Sequence, residues 1–388
     1  MSISEVAFSG KILAGRLNSF HENRAYPIFD SGVIDFFDEC ARKLRKSENV
    51  SEFKDLLTFA FFCRGSALRQ SVGAYECSTD RLGWGLSVHV APANVPVNLA
   101  YTLLFGLLSG NKCLVRASSK NFRQLNVFYE ILKSIGNEEK FAEIYDRFCI
   151  IDCDYDDPNW LALVRDADVR IVWGGDKTVT KIRQIPSQPK AVELVFPDRQ
   201  SLCVLNADAI AALSEAQLHQ LAIKFYNDTL LLDQSACSSP LQILWLESNS
   251  NEAQIARFWE CVAWAEKELG AIGVKKYIDK LTRVGRKSDQ LADLRIREYG
   301  LGVTVANGIA NTMEDIRLGF YIEKKIESIQ SIFDSVSNKT QTLTYFGVDP
   351  QDIKSCLMRL GCKGIDRVVP VGMALDIGFY WDGKDILR

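Results

Sequence analysis

One thiol lies in a short polar segment of the sequence, Asp233-Gln234-Ser235-Ala236-Cys237-Ser238-Ser239-Pro240. The thiolate is the nucleophilic form of cysteine, and neighbouring Ser and Gln side chains can donate hydrogen bonds to a thiolate or to an oxyanion. Such a cysteine can take up an acyl group as a covalent intermediate. The alternative is that Cys237 is simply one of the 11 cysteines of the chain, most of which would pack as small buried hydrophobes.

Two regular elements position this segment. Apolar residues recur at helical spacing from about Glu215 to Leu231, which predicts a helix. The apolar run Leu241–Leu246 predicts a strand. Cys237 therefore falls on the loop that joins a helix to a strand, and catalytic residues are often found on such loops.

The composition is that of a globular protein, with 388 residues, 47% of them apolar and 24% charged. This length is sufficient for two domains. The net charge of −3 argues against a nucleic-acid-binding surface, which would be basic. The cysteines are odd in number, scattered and without a C-x-x-C pair, which indicates free thiols in a reducing cytosol.

The chain has only three histidines, His21, His89 and His219, so we expect no metal site, and a Cys-His or Ser-His triad has few candidates. No long apolar segment follows basic residues near Met1, and the most apolar stretch, 99–108, is shorter than the roughly 20 residues that span a bilayer. We therefore predict a cytoplasmic protein with no signal peptide and no membrane span.

Strands alternate with helices between residues 82 and 175, a pattern that predicts a parallel sheet built from right-handed crossovers. The predicted strands are Ser87–Val90, Lys112–Arg116, Cys149–Ile151 and Val169–Trp173. Residues 1–75 look mostly helical and contain no nucleotide-binding motif. Alternation resumes after Asp208, and no flexible linker separates the two halves.

A G-x-G-x-x-G sequence after a strand would indicate a dinucleotide site, and the chain has none. A dinucleotide could still bind where strands end and helices begin, through Gly174-Gly175 and Arg116. Each of these signals has an alternative interpretation. Gly174-Gly175 could be a simple turn, and Arg116 could be a solvated charge at a strand end.

Taken together, several segments resemble the aldehyde dehydrogenase superfamily, and most closely its long-chain acyl-CoA reductase branch, the LuxC-type reductases. The segments appear in the family's order over residues 80–388: Val88–Pro96, Leu107–Asn111, Arg116–Ser119, Val172–Gly175, Asp233–Cys237, Asn338–Thr342 and Trp381–Gly383. The resemblance implies an α/β fold in which a Rossmann-type parallel-sheet cofactor domain accompanies an α/β catalytic domain. It gives four segments: 1–75 helical, 76–206 cofactor-binding, 207–365 catalytic and 366–388 a C-terminal strand and tail.

The resemblance also implies roles for individual residues. Cys237 looks like the thiol that accepts the acyl group, and Asn94 like the amide that donates to the thioester oxyanion. The implied cofactor-binding residues are Arg116, Ser118, Ser119, Gly174, Gly175, Thr340 and Gln341. The stretch Arg116–Lys120 has two cations and no carboxylate that would bind a ribose 2′-hydroxyl, so we favour NADPH over NADH.

The sequence departs from the oxidising aldehyde dehydrogenases at their general base. Their Glu-Leu-Gly-Gly motif corresponds here to Val195–Arg199, which contains no Glu, and Glu193-Leu194 is out of register. The absence of a water-activating base suits an acylating enzyme, whose acyl-thioester must not hydrolyse. We therefore expect a fatty-acyl thioester, from acyl-CoA or an acyl-protein, to be reduced to an aldehyde.

The resemblance further suggests a homo-oligomer and an acyl-activating synthetase partner. Two alternatives stay open on the sequence alone. One is a short-chain CoA-acylating aldehyde dehydrogenase, and the other is a non-catalytic subunit that only carries an acyl group.

Overall fold

A computed structural model describes residues 6, 8–18, 24–75, 80–246, 252–288, 295–307 and 316–388. The chain forms two compact units. The first unit comprises Met1–Pro197 together with Lys384–Arg388, and the second comprises Asp198–Gly383. Each unit contains one large, mainly parallel sheet with helices packed against it.

The elements of the first unit, in chain order, are β1 (Lys11–Gly15), α1 (Ser31–Lys46), α2 (Lys54–Phe62), α3 (Gly65–Gly73), β2 (Leu86–Val90), α4 (Asn98–Leu108), β3 (Lys112–Arg116), α5 (Arg123–Gly136), α6 (Ala142–Tyr145), β4 (Phe148–Asp152), α7 (Pro158–Asp166), β5 (Val169–Trp173), α8 (Asp176–Arg183) and β6 (Val192–Phe196). The strand order is β1-β4-β3-β2-β5-β6, and only β1 runs antiparallel to its neighbour.

The central strands β2, β3 and β5 are buried at every position. Strands covered by helices on both faces are expected to be apolar almost throughout, which is why the sequence located them well. The start of α7 illustrates how local chemistry sets an end: the Asp157 side chain accepts from the backbone N–H groups of Asn159 and Trp160, and Pro158 occupies the first turn.

The elements of the second unit are β7 (Gln200–Asn206), α9 (Ala207–Ala211), α10 (Glu215–Asp228), β8 (Pro240–Leu246), α11 (Glu252–Gly270), α12 (Val274–Ser288), β9 (Arg295–Gly300), β10 (Val303–Asn307), β11 (Phe320–Ile326), β12 (Thr340–Phe346), α13 (Pro350–Leu360), β13 (Arg367–Pro370) and β14 (Tyr380–Trp381); β15 (Lys384–Asp385) follows. The sheet order is β13-β12-β7-β8-β11-β10-β9, parallel except for the pairing of β9 with β10.

Two apolar clusters cover the faces of this second sheet. Residues from α9, α10 and α11 pack on one face around Phe225, Trp245 and Trp259. Ile353 of α13 packs on the other face against Leu202 and its neighbours. Strands β7, β8 and β12 thus lie inside a sheet that is covered by apolar side chains on both faces.

The structure groups the chain differently from the four segments expected from the sequence. The division between units falls after Pro197 rather than after residue 206, because residues 200–206 form β7 and pair with β8 and β12. The segment 366–388 is split: β13 pairs with β12, whereas Lys384–Arg388 groups with the first unit, where Tyr75 donates to Asp385 at 2.7 Å.

The N-terminal region is not wholly helical either. Residues 11–15 form β1, which pairs antiparallel with β4. Its edge position and mixed polarity, Lys-Ile-Leu-Ala-Gly, explain why no strand was expected there.

Candidate active site

Cys237 lies on the loop between α10 and β8, as the sequence predicted. After α10 the chain makes a short 3₁₀ turn at Leu230–Leu232, and then Asp233 and Gln234 both adopt a left-handed backbone conformation, each with φ of 54°. This conformation is unfavourable for residues other than glycine. The loop therefore depends on specific contacts to hold its shape.

Gln234 supplies most of these contacts with a fully buried side chain. Its amide nitrogen donates to the carbonyl oxygens of Pro240 at 3.3 Å and Phe320 at 3.2 Å. Its amide oxygen accepts from the backbone N–H of Gly319 at 2.7 Å. The side chain thus joins the start of the cysteine loop to the start of β8 and the start of β11.

Ser201 fixes the other side of the loop. Its hydroxyl donates to the carbonyl oxygen of Cys237 at 2.7 Å and accepts from the backbone N–H of Thr342 at 3.1 Å. Because Ser201 lies on β7 and Thr342 on β12, Cys237 is tied to two neighbouring strands at their amino-terminal ends.

The thiol itself is the most informative group of the site. Among the described cysteines, only Cys237 and Cys362 keep partial exposure, and the others are buried. Burial raises the pKa of the Cys237 thiol above its ordinary value, while the backbone N–H of Arg199, which donates to the sulfur, opposes the rise. In this state the thiol is protonated at neutral pH, and the N–H of Arg199 is directed at its sulfur.

Arg199 is a site residue that sequence reasoning missed. Its guanidinium donates to the carbonyl oxygens of Thr340 at 2.6 Å and Gly364 at 2.9 Å, and it forms ion pairs with Asp366 at 2.5 Å and Asp382 at 3.2 Å. These bonds hold the backbone of Arg199 beside the thiol. The only sequence signal was that Arg199 is the last residue of the segment that corresponds to the glutamate motif.

Asp382 connects two of the segments that carried the family resemblance. It is buried, adopts a left-handed conformation with φ of 52°, and accepts from the Gln341 amide at 3.0 Å. The structure thus brings Cys237, Thr340 and Gln341 to one end of the second sheet. Three buried polar atoms in this region have no hydrogen-bond partner: Ser239 Oγ, Gln341 Oε1 and Thr342 Oγ1. Unpaired buried polar atoms of this kind are typical of functional sites.

The other predicted residues lie in the first unit, at the carboxyl end of its sheet. Asn94 is exposed on the loop after β2, Arg116 ends β3, and Gly174 follows β5. The chain proceeds from β2 to β3 and β4 on one side, and to β5 and β6 on the other, so the strand order reverses between β2 and β5. Ligands of open α/β sheets bind at such a point, outside the carboxyl ends of the strands.

Gly174 and Gly175 form more than a simple turn. Gly175 precedes the first residue of α8, and its carbonyl oxygen accepts from the backbone N–H of Thr178 at 2.8 Å. A Cβ atom on Gly174 would lie 3.0 Å from the Thr178 side chain. The pair therefore allows a close approach to the amino end of a helix, where N–H groups can bind an anion.

Arg116 is not a solvated strand-end charge, because it is only 4% exposed. Its guanidinium carbon lies 3.5 Å from the ring centroid of Tyr155, and Nε has no hydrogen-bond partner. Ser118 accepts from the backbone N–H of Lys120 at 3.2 Å, and Ser119 is exposed. Since α5 begins at Arg123, neither serine caps it.

Two acid–base candidates are committed to other contacts. Glu193, the glutamate nearest the missing general-base motif, forms an ion pair with Arg183 at 2.6 Å. His89 is buried between Ser87 and Thr102, and burial lowers its pKa to about 3, so it is neutral. His219 stacks on Trp264, whereas His21 and Cys77 lie outside the described residues.

No group of three or more His, Cys, Asp or Glu side chains across the described ranges is placed to hold a metal ion. None of the helices in the described part of the chain is both long enough and apolar enough to cross a bilayer.

The family model described as acyl-CoA reductase (LuxC) matches residues 34–280. A long-chain acyl-protein thioester reductase of Aliivibrio fischeri is 23% identical over 312 residues, which cover 77% of this chain and 60% of that protein. The chain thus spans about 60% of the length of such curated relatives. The resemblance identified from the sequence segments is confirmed.

Solved aldehyde dehydrogenases share the fold. A succinic semialdehyde dehydrogenase of Streptococcus pyogenes, solved with NADP⁺, has a TM-score of 0.61 at 14% identity and covers 87% of this chain and 81% of its own. Aldehyde dehydrogenase C of Pseudomonas syringae, solved with NAD⁺ and octanal, has a TM-score of 0.58 at 12% identity and covers 88% and 76%. The α/β, aldehyde-dehydrogenase-like fold predicted from the sequence is confirmed.

Proposed function

Because the chain belongs to the LuxC acyl-CoA reductase family, we propose that it reduces a fatty-acyl thioester to an aldehyde through an acyl-Cys237 intermediate, with NADPH as reductant. One observation carries the proposal. Cys237 is a partly exposed residue on a loop held by three strands, with a backbone N–H directed at its sulfur. The surrounding structure orders the loop as a nucleophile site requires.

Cys237 performs the first chemical step in this scheme. Its thiolate attacks the carbonyl carbon of the acyl donor and displaces the donor thiol, leaving the acyl group on the sulfur. The N–H of Arg199 stabilises the negative sulfur before the attack and again when the sulfur leaves. Because the resting thiol is protonated, a change on substrate or cofactor binding must lower its pKa for the reaction to begin.

Two further residues bear on the proposed scheme, Asn94 on the oxyanion and Glu193 on the exclusion of hydrolysis. Asn94 is the proposed donor to the oxyanion that forms at the thioester carbon, a contact worth about 3–4 kcal/mol in comparable enzymes. Glu193 is paired with Arg183, so its carboxylate is engaged in an ion pair rather than available to activate a water molecule.

The residues of the first unit fit a nicotinamide dinucleotide. Arg116 has a buried, unpaired Nε at the carboxyl end of β3, and Gly174-Gly175 open the amino end of α8 at the point where the strand order reverses. When bound, the reduced cofactor supplies the hydride for the thioester carbon. The structural relatives include both an NADP⁺ and an NAD⁺ complex, so the shared fold does not distinguish the two cofactors. The proposed preference for NADPH therefore depends on Arg116, with Ser118 and Ser119 beside it.

The names of the relatives bear on the identity of the acyl donor. The relatives are named long-chain acyl-protein thioester reductases, which supports a long acyl chain and a protein thioester, whereas the family description refers to acyl-CoA. Both donors present the same thioester to Cys237. We propose a long-chain acyl thioester as the substrate.

Intact-mass analysis after exposure to acyl-CoAs and acyl-proteins of graded chain length tests this scheme. The wild-type protein should gain one acyl group that hydroxylamine removes, and Cys237→Ala should gain none. Cys362→Ser is the matched control, because Cys362 is the other partly exposed cysteine of the described chain, and it should be acylated normally.

Addition of NADPH separates the remaining alternatives. Loss of the adduct with release of an aldehyde supports the reductase, whereas a stable adduct would indicate a subunit that only carries the acyl group. Acylation confined to short chains would favour the CoA-acylating aldehyde dehydrogenase. An adduct that persists in Cys237→Ala would remove Cys237 as the nucleophile.

A further inference from the structure

Helix α12 presents its apolar residues to solvent. Val274, Ile278 and Leu281 are 76%, 58% and 42% exposed, and their spacing of four and three residues places them in one row along the helix. Gly273 and Gly285, near the two ends of this row, have open space around them. A surface helix of a globular protein usually turns such a row towards the core.

A side of α12 next to this row faces the protein and contains a lysine. Lys280 is fully buried, and its ammonium group donates to the carbonyl oxygen of Leu301. Burial lowers the pKa of Lys280 to about 8. Val284, at 9% exposure, is the other buried residue of this side. The contacts of Lys280 and Val284 therefore hold α12 with its row of apolar residues turned outwards.

The segment is also strongly basic. Of residues 274–288, six are Lys or Arg and one is Asp, in a chain whose net charge is −3. Lys275 is exposed, and successive residues lie about 100° apart around a helix, so Lys275 flanks the apolar row on one side. Two other cations are paired within the protein, Lys276 with Asp233 and Arg283 with Asp279.

We propose that α12 docks the protein on an anionic lipid surface, with the row Val274–Ile278–Leu281 inserted among the acyl chains and Lys275 at the headgroups. Exposed apolar residues beside Lys and Arg on an amphipathic helix are the features of helices that lie in a membrane interface. The basic charge selects an anionic surface, since a neutral bilayer would attract only the apolar row.

The proposal goes beyond the acyl reductase activity and does not rest on it, because none of the exposed residues that would contact lipid is a residue of the candidate active site. The proposed binding partner of α12 is a lipid surface. A second copy of the chain, bound through the same row, is the competing occupant that the experiment must exclude.

Vesicle co-sedimentation of the full chain tests the proposal, with phosphatidylcholine vesicles that contain or lack phosphatidylglycerol. The wild-type protein should bind the anionic vesicles and should be released by salt. Ile278→Gln combined with Leu281→Gln should lower the partition coefficient at least about tenfold, and Lys275→Glu should lower it several-fold. Met358→Gln is the control, because Met358 is 83% exposed on α13, and it should not change binding.

Circular dichroism and the melting temperature verify that each variant is folded, which is expected because all substituted side chains are exposed. Failure of the wild-type protein to bind anionic vesicles overturns the proposal. So does equal binding of the wild type and the double variant. If the double variant instead shifts the protein to a smaller species in size-exclusion chromatography without a loss of vesicle binding, the row is an interface between copies.

Discussion

The two loops that carry the proposed chemistry are built in opposite ways. The Cys237 loop has two left-handed residues and is held by buried hydrogen bonds from Gln234 and Ser201 to neighbouring strands. The loop after β2 leaves Ala93 and Asn94 exposed between the buried Pro92 and Pro96. Hydrogen bonds from polar side chains set the shape of the Cys237 loop. The proline rings, which restrict the backbone φ angle, set the shape of the loop after β2.

This difference decides how each loop can be probed. In the Cys237 loop, a polar side chain that shapes the site is also part of the core, so its removal affects stability and activity together. In the loop after β2, Asn94 can be removed with little structural cost, because exposed side chains contribute little to stability.

The largest change should follow Gln234→Ala. The substitution leaves the N–H of Gly319 and the carbonyl oxygens of Pro240 and Phe320 without this partner. Unpaired buried groups cost about 1–3 kcal/mol each, so we expect the free energy of unfolding to fall by about 3 kcal/mol or more. Urea denaturation measures it, and the exposed Gln184→Ala is the control. An unchanged unfolding curve would show that the loop does not depend on Gln234.

Asn94→Ala should give the reverse result. We expect turnover to fall about a hundredfold, while the free energy of unfolding changes by no more than about 0.5 kcal/mol. Steady-state kinetics and urea denaturation on the same preparations compare the two quantities. Equal losses of cofactor affinity and turnover would mean that Asn94 only shapes its loop.

The smallest effect concerns cofactor choice. Removal of a charge-assisted contact to the 2′-phosphate costs about 1.5–3 kcal/mol, so Arg116→Ala should narrow the preference for NADPH over NADH by roughly tenfold or more. Dissociation constants for both cofactors, measured in wild type and variant, decide the matter. Tyr155→Phe retains the ring under the guanidinium and should leave the preference unchanged. A ratio that does not move in Arg116→Ala would remove Arg116 as the reader of the phosphate.

The sequence located those parts of the fold that depend on local patterns. Strands Lys112–Arg116 and Val169–Trp173 were predicted to the residue, because continuous apolar runs ended by polar residues or glycine identify buried parallel strands. The helix before Cys237 was predicted too long: α10 ends at Asp228, and a 3₁₀ turn follows. No strand was expected at β9, where Arg-Ile-Arg-Glu-Tyr-Gly forms an exposed edge.

The missed parts of the site depend on long-range pairs. Arg199 reaches Asp366 and Asp382, which are 167 and 183 residues further along the chain. Gln234 bonds to Gly319 across 85 residues. No local periodicity records such pairings, so residue types alone could single out Cys237 as a candidate nucleophile but could not identify the groups that hold it.

The raised pKa of Cys237 also has a consequence for the lifetime of the protein. Peroxides and other oxidants attack thiolates far faster than thiols, and oxidation beyond the sulfenic acid is irreversible for most proteins. By favouring the protonated form of the sulfur, burial lowers its reactivity towards such oxidants. The partial exposure of Cys237 as a residue therefore does not by itself make its sulfur prone to oxidation.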